Sequence, residues 1–360
     1  MKYNLYLLYG GKSVEHEISL KTAFTVIQAL DYSKFDVYPI YITREGIWCS
    51  QGKRTEAVGD LSELKLEPAS PDETEASSLG LILSKLLSLK EEKVVMPLLH
   101  GTNGEDGTIQ GLMELLNVPY VGNGVLSSAM ALDKAVTKAI IAQAGIAQTG
   151  HLVASFTEWL EDKEAVLEDV EVKIGYPCYV KPASLGSSIG ISRCENQDEL
   201  RNGLEAAYRF DRKIVVEKEV RGREIQVAVK GNEYPRASMP GEFIQEKAFF
   251  DFDAKYMDGK LTMSIPAEIP ASLTKRIQEN AVIAYQALNC SGLARVDFFI
   301  TPEGQLFLNE VNTLPGFTNF SMYPLMWERT DGTTYAELVE MLIDYAIMRH
   351  AEKQLVQYSM

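Results

Sequence analysis

Between Arg295 and Met322 the chain reads RVDFFITPEGQLFLNEVNTLPGFTNFSM, with an arginine, two carboxylates and asparagines set into otherwise apolar, aromatic-rich runs. Arg295 to Ile300 and Leu306 to Val311 flank Pro302-Glu303-Gly304-Gln305, the pattern of an antiparallel hairpin. If Glu303 and Gly304 form a two-residue loop, Asp297 falls opposite Glu310 and Arg295 opposite Asn312. All four then share one face, because strand side chains alternate with a period of two. Carboxylates facing each other at about 5 Å between Cβ atoms repel, so the cluster calls for a cation. Hard oxygen donors on rigid strands suit Mg²⁺, which takes one or two carboxylates and completes its shell with water and phosphate oxygens. The alternative is a solvated outer face carrying unrelated charges. Against it stand Leu306 and Leu308, expected to share the face with Glu310 and to be buried.

The elements that must present other chemistry lie upstream. Asn4 to Tyr9 reads as a strand, Gly10 to Ser13 as a turn and Ser19 to Leu30 as a helix, with Glu15 and His16 just ahead of it. Lys12-Ser13 after Gly11 is no phosphate-binding P-loop, since the required glycine five residues earlier is Tyr6, and GxGxxG is also absent. Glu15 either favours the helix N-terminus or faces a ligand at the carboxyl end of the strand. Val37 to Ile42 is the second strand. Residues 56 to 75 hold seven acids against Lys65 and read as a surface loop of weak order. Val94 to Leu98 is a buried strand running into His100-Gly-Thr-Asn-Gly-Glu-Asp-Gly107, where glycines let backbone approach a ligand below the helix expected from Thr108 to Leu116. His100 is either a packed loop residue or a ligand contact. Val118 to Val121 and Gly122-Asn123-Gly124 end this first α/β region.

Lys134 lies in a helical pattern continuing to about Ala144, where a lone lysine is ordinarily solvated. Tyr176 to Lys181 is extended and leads into Ala183-Ser-Leu-Gly-Ser-Ser-Ile-Gly190, either a plain turn or a flap whose amides and hydroxyls close over phosphate oxygens, with Lys181 as point charge. Ile214 to Lys218 and Glu224 to Val229 are strands joined through Arg221-Gly222-Arg223, and on residues alone Glu217 and Glu224 read as strand-surface carboxylates. Lys247 to Tyr256, KAFFDFDAKY, has neither periodicity and reads as a loop that closes onto a substrate. Helices are expected over Leu273 to Leu288 and Thr334 to Met348.

With 360 residues there is room for two or three well-buried domains, and a net charge of -15 argues against nucleic-acid or anionic-membrane partners. The apolar start is too short for a secretion signal or a membrane span, so a cytoplasmic protein is expected. Four scattered cysteines and four histidines offer no zinc spacing. The thiols should be buried and inert.

R-x-D followed by N-E-x-N-x-x-P-G resembles the metal-binding end of ATP-grasp enzymes, and the ordered blocks along the whole chain resemble the D-alanine:D-alanine ligases. The resemblance implies an α/β (α+β) three-domain ATP-grasp architecture: residues 1–124 a parallel-sheet α/β domain, 125–215 a central flap domain, and 216–360 a C-terminal domain with metal site and lid. It implies ATP as a substrate, two Mg²⁺ (or Mn²⁺), and ligation of two D-alanines through an acyl phosphate for peptidoglycan precursors by a homodimer. Glu15 would hold the ammonium of the first D-alanine, with His100 beside that pocket. Lys134, Lys181 and Ser187 would hold phosphates, while Glu217 and Val220 would face the adenine, Glu224 the ribose, and Lys218, Phe249 and Asn309 would also contact ATP. Asp297, Glu310 and Asn312 would take the metal, Arg295 and the Gly316 amide the tetrahedral oxyanion, and Ser321 with the Met322 amide the second carboxylate. Lys255 and Tyr256 match the lid, whose two inner tyrosines are here Phe250 and Phe252; family members making D-alanyl-D-lactate can carry Phe where Tyr256 stands. Alternatives are another ATP-grasp carboxylate-amine ligase, a D-alanyl-D-lactate ligase, and a non-catalytic nucleotide-binding protein.

Overall fold

The computed structural model describes residues 2–88, 91–244 and 262–357. Its first sheet has the order β3-β2-β1-β4, built from β1 (Tyr3–Gly10), β2 (Phe35–Ile42), β3 (Trp48–Cys49) and β4 (Lys93–Pro97). β1 runs parallel to β2 and β4, whereas β3 is antiparallel to β2. Leu5, Leu7 and Tyr9 pack on one side of β1, Tyr6 and Leu8 on the other, which explains its unbroken apolar run. The helix expected from Ser19 begins at His16, so Glu15 occupies its N-cap position.

Val118 to Val121, at the end of the first α/β region, contributes one parallel bridge, Val95 to Tyr120. One sequence expectation fails here. The acidic 56–75 segment is not loosely ordered: Asp60 and Glu63 form a capping box on the short 3₁₀ helix Leu61–Leu64, and Val58, Leu64 and Leu66 are buried in the core. Charge counting missed it because three apolar anchors suffice to hold the segment.

A second, antiparallel sheet, β5-β8-β6-β7, comprises β5 (His151–Ser155), β6 (Cys178–Pro182), β7 (Ser192–Cys194) and β8 (Lys213–Lys218). Helices Lys163–Lys173 and Gln197–Ala207 cover it through Val166, Leu167, Val170, Leu200 and Leu204. All four cysteines are free and buried, and Cys178 and Cys194 are cross-strand partners, a pairing their spacing does not reveal.

In the third sheet, β9 (Arg223–Gly231), β10 (Arg236–Ala237), β11 (Gly241–Ile244), β12 (Thr262–Ser264), β13 (Gly292–Ile300) and β14 (Leu306–Asn312) assemble as β12-β11-β9-β13-β14, with β10 on β9. Helix Ala271–Ala287 buries Ile277, Ala281, Ala284 and Tyr285 against it. The closing helix Tyr335–Lys353 starts at a Thr334/Glu337 capping box and packs Leu338, Leu342 and Ile343 into the cluster that holds Leu20 and Val26 of the first helix. The two ends of the chain therefore share one core. Among the described residues no helix is long and apolar enough to cross a membrane.

Candidate active site

The hairpin β13/β14 pairs Arg295 with Asn312 and Asp297 with Glu310, as expected, but by a different route. Thr301 and Gln305 pair directly, and Gly304 at φ +78° bonds back to the Thr301 carbonyl, so the loop has three residues. Asn309 is then the extra residue of a bulge that follows the Phe298–Leu308 pair and restores the register. The bulge also changes which face the leucines occupy. Leu306 and Leu308 pair with Ile300 and Phe298 and lie with them in the core, on the face opposite Glu310, so the expectation that they share its face is wrong.

On the other face Asp297 is fully buried. Arg295 grips it in a two-pronged pair, Nε to Oδ1 at 2.8 Å and Nη2 to Oδ2 at 2.7 Å, and Asn312 Nδ2 donates to Asp297 Oδ2 at 3.1 Å and to Glu310 Oε1 at 3.4 Å. Two carboxylates and an amide offer hard oxygen donors that fit Mg²⁺. Among the described residues no group of three His, Cys, Asp or Glu could hold an ion alone. The third protein donor would therefore be Asn312, with substrate oxygens filling the rest.

Facing this hairpin is a cluster of lysines. Asp133 Oδ1 caps the helix Lys134–Gln143 by accepting from the amides of Ala135 and Val136, which sets Lys134 at its first turn. Lys134 Nζ donates to the Leu185 carbonyl of the flap, and Lys134, Leu185, Gly186, Asn309, Glu310 and Asn312 line one cleft. Burial and the neighbouring Lys181 hold the Lys134 ammonium below its ordinary pKa, against the pull of Glu310. Lys181 donates to Glu217 Oε2 at 2.8 Å, and Lys138, one helical turn past Lys134 and only 2% exposed, lies 3.0 Å from Glu217 Oε1. Burial alone would raise the Glu217 pKa, but these two ammonium groups bring it down to about 2. Glu217 is thus a buried, doubly paired carboxylate rather than a strand-surface residue. Glu224, opposite Phe299, is half-buried and acts on the charge of Lys181, Val220 is half-buried, and Lys218 points outward.

A third group converges from the first sheet. Ser187 Oγ donates to Glu15 Oε1 at 2.6 Å across 172 positions. Ser187 and Ser188 both hold left-handed backbone, φ +54° and +59°, a strain tolerated where surrounding structure fixes a loop. Gly101 holds left-handed backbone, φ +74°, which favours glycine, and a Cβ there would come 2.8 Å from Glu15 Oε2 and 2.7 Å from Ser13 Oγ and push on both. His100 is 4% exposed and bonds Thr22 through Nε2 at 3.2 Å, with Nδ1 3.6 Å from Glu105 Oε1. Burial opposes its protonation, yet Glu105, Glu15 and the Leu314 carbonyl outweigh that and raise its pKa, while burial raises that of Glu105. His16 is structural, bonded to the Gly11 carbonyl and the Tyr41 hydroxyl.

Gly316 and Ser321 stand together, a Cβ on Gly316 lying 3.4 Å from Ser321 Oγ, and Ser321 accepts from the Thr318 amide at 2.9 Å. Ser321 caps the helix Met322–Asp331 without using its side chain, and Met322 is buried. Phe249, Phe250, Phe252, Lys255 and Tyr256 lie outside the described residues.

Residues 4–123 match the family described as D-ala D-ala ligase N-terminus, and residues 140–344 the D-ala D-ala ligase C-terminus. The chain belongs to the D-alanine–D-alanine ligase family. It is 48% identical over 363 residues to the D-alanine–D-alanine ligase of Bacillus cytotoxicus, covering 99% of each chain. Among solved structures it superposes on the D-alanine-D-alanine ligase from Coxiella burnetii with TM-score 0.79 and 34% identity, covering 98% of this chain and 96% of that one. The VanG D-Ala:D-Ser ligase from Enterococcus faecalis gives TM-score 0.81 and 33% identity over 96% and 100%. The architecture is that of the ATP-grasp ligases. Within this ligase fold, three site residues escaped the sequence reading: Lys138, Glu105 and Asn123. The i, i+4 spacing of Lys134 and Lys138 was a usable signal; nothing local marks Asn123.

Proposed function

We propose that the chain joins two D-alanines into D-alanyl-D-alanine at the expense of ATP, supplying the dipeptide of the peptidoglycan precursor. The observation that carries this reading is the convergence of a lysine-rich cleft (Lys134, Lys181), a carboxylate hairpin (Asp297, Glu310) and a carboxylate from a separate sheet (Glu15). An enzyme that phosphorylates one amino acid and condenses it with another needs all three. The working domains are residues 1–124, 125–215 and 216–360, in a cytoplasmic homodimer.

Glu15 attracts the ammonium of the first D-alanine, so that its carboxylate faces the γ-phosphate. Lys134 and Lys181 neutralise the transferring oxygens with Ser187 on the flap, and Glu217, Lys218, Val220, Glu224, Phe249 and Asn309 surround the nucleoside. Asp297, Glu310 and Asn312 would hold two Mg²⁺ (or Mn²⁺), which supply charge neutralisation and in-line alignment of the phosphates. The carboxylate of the first D-alanine takes the γ-phosphoryl group and ADP leaves. The second D-alanine, its carboxylate at Ser321 and the Met322 amide, gives up its ammonium proton within the hydrogen-bonded cluster of Glu15, Ser187 and Tyr256. Its neutral amine attacks the acyl phosphate, with His100 and Lys255 bordering the pocket. Arg295 and the Gly316 amide stabilise the developing oxyanion, the Tyr256 hydroxyl would complete the Glu15–Ser187 pair, and phosphate leaves.

The test is a phosphate-release assay with ATP and Mg²⁺ over D-alanine, D-serine, D-lactate and the L-amino acids, with the products separated. D-alanyl-D-alanine as main product is expected. No phosphate release with D-alanine would sink the reading.

A further inference from the structure

Glu15 and His100 lie on the loops that follow β1 and β4 of the first sheet, whereas Arg295, Asp297 and Asn312 belong to the third, so a reaction between groups held by the two requires that the sheets stay in register. We propose that Asn123 is the positioning residue that sets this register, by fastening both ends of the carboxylate hairpin to the N-terminal part of the chain. The proposal rests on the function proposed above.

Asn123 is 2% exposed. Its Nδ2 donates to the Leu293 carbonyl at 2.6 Å and to the Thr313 carbonyl at 2.8 Å, and its Oδ1 accepts from the Ser291 amide at 2.9 Å. A primary amide has two N–H donors, and both are used. Leu293 precedes Arg295 by two residues on β13, and Thr313 directly follows Asn312. One side chain therefore grips the start of the strand that carries Arg295 and Asp297 and the end of the strand that carries Glu310 and Asn312. The carbonyl directly beyond Asn312 is thus held by Asn123.

The hold continues back to the first sheet without a gap. Val95 of β4 bonds the Pro119 carbonyl at 2.9 Å and receives the Val121 amide at 2.8 Å, two residues before Asn123. Gly122 and Gly292 touch, a Cβ on Gly292 coming within 3.3 Å of Gly122 Cα, so no side chain separates the two units. Arg349 stacks on Tyr120 at 4.4 Å and donates to the Tyr120 and Gly122 carbonyls and to the Ser291 hydroxyl. A misplacement of about 1 Å between reacting groups lowers rates on the order of a hundredfold, and this amide is built to prevent one.

The experiment compares Asn123→Ala and the milder Asn123→Ser with Arg349→Lys, which disturbs the same junction but leaves the Asn123 bonds to the Leu293 and Thr313 carbonyls in place. For both Asn123 variants kcat should fall about ten- to a hundredfold and the KM for D-alanine should rise several-fold. Their MgADP dissociation constant, measured by titration calorimetry, should stay within about threefold of the parent, because the lysine cleft and hairpin remain together. Arg349→Lys should lower the melting temperature with kcat nearly unchanged. Asn123 variants that lose stability with kcat and KM intact would make Asn123 merely structural and overturn the proposal, and so would MgADP binding that weakens in step with kcat. The parent's own rate on D-alanine tests the function, so its failure and the failure of the Asn123 proposal are separate results.

Discussion

Ser187 Oγ and Glu15 Oε1 lie 2.6 Å apart, joining the flap after β6 to the loop after β1. The bond ties the Ser187 loop to the Glu15 carboxylate. Glu15→Gln keeps a hydrogen-bond acceptor for Ser187 but removes the charge that draws an ammonium. Steady-state kinetics should show the KM for the first D-alanine raised about tenfold or more, with ATP affinity unchanged, since a charged partner contributes roughly 1.5–3 kcal/mol. An unchanged KM would remove Glu15 from the substrate site.

Glu310→Gln takes one charge from the Asp297/Glu310 pair while keeping the side chain's shape. Direct Mn²⁺ binding should weaken, turnover should be abolished, and the circular dichroism spectrum should stay that of the parent. Near-parental rates at low Mg²⁺ would defeat the metal assignment.

Arg295 neutralises the fully buried Asp297, and in the proposed reaction it also faces the acyl centre. Arg295→Ala should lower kcat about a hundredfold or more and also destabilise the fold by roughly 3–5 kcal/mol, because it strands a buried carboxylate. Denaturant melts beside kinetics separate the two losses. A loss seen only in ATP affinity would make Arg295 a nucleotide contact.

Glu217 gives the stability a defined acid limit. Its pKa is lowered from 4.5 to about 2 in the fold, so the stabilisation it brings is complete above 4.5 and is lost as pH falls towards 2. The shift corresponds to about 3 kcal/mol. Denaturant melts at several pH values in that window should show a steeper loss for the parent than for Glu217→Gln. Parallel curves would contradict it.

Tyr256, which lies outside the described residues, is the hydroxyl expected to complete the Glu15–Ser187 pair. With D-alanine and D-lactate competing, the parent should make the dipeptide, and Tyr256→Phe should shift the product towards the ester. Ester as the parent's main product would overturn this.

The hairpin's pairing was readable in the sequence because strand alternation and a Gly-containing turn constrain register locally. Asp297 opposite Glu310 came out as expected even though the turn is one residue longer, since the Asn309 bulge cancels the offset. The same bulge could not be read, so Leu306 and Leu308 were assigned to the wrong face; it depends on how β14 meets β13, not on any residue in β14. Motif blocks around Glu15, His100, Lys134, Lys181 and Asn312 marked a ligase because each is short and contiguous. What they touch was decided by the tertiary structure alone. Ser187 reaches Glu15 across 172 positions and Asn123 reaches Thr313 across 190. Glu217, a strand residue that sequence periodicity leaves on a surface, becomes a buried charge only because Lys138 and Lys181 arrive from a helix and a neighbouring strand. Local residue preferences act over a few positions, whereas burial and charge pairing are properties of surfaces that meet only once the chain has folded.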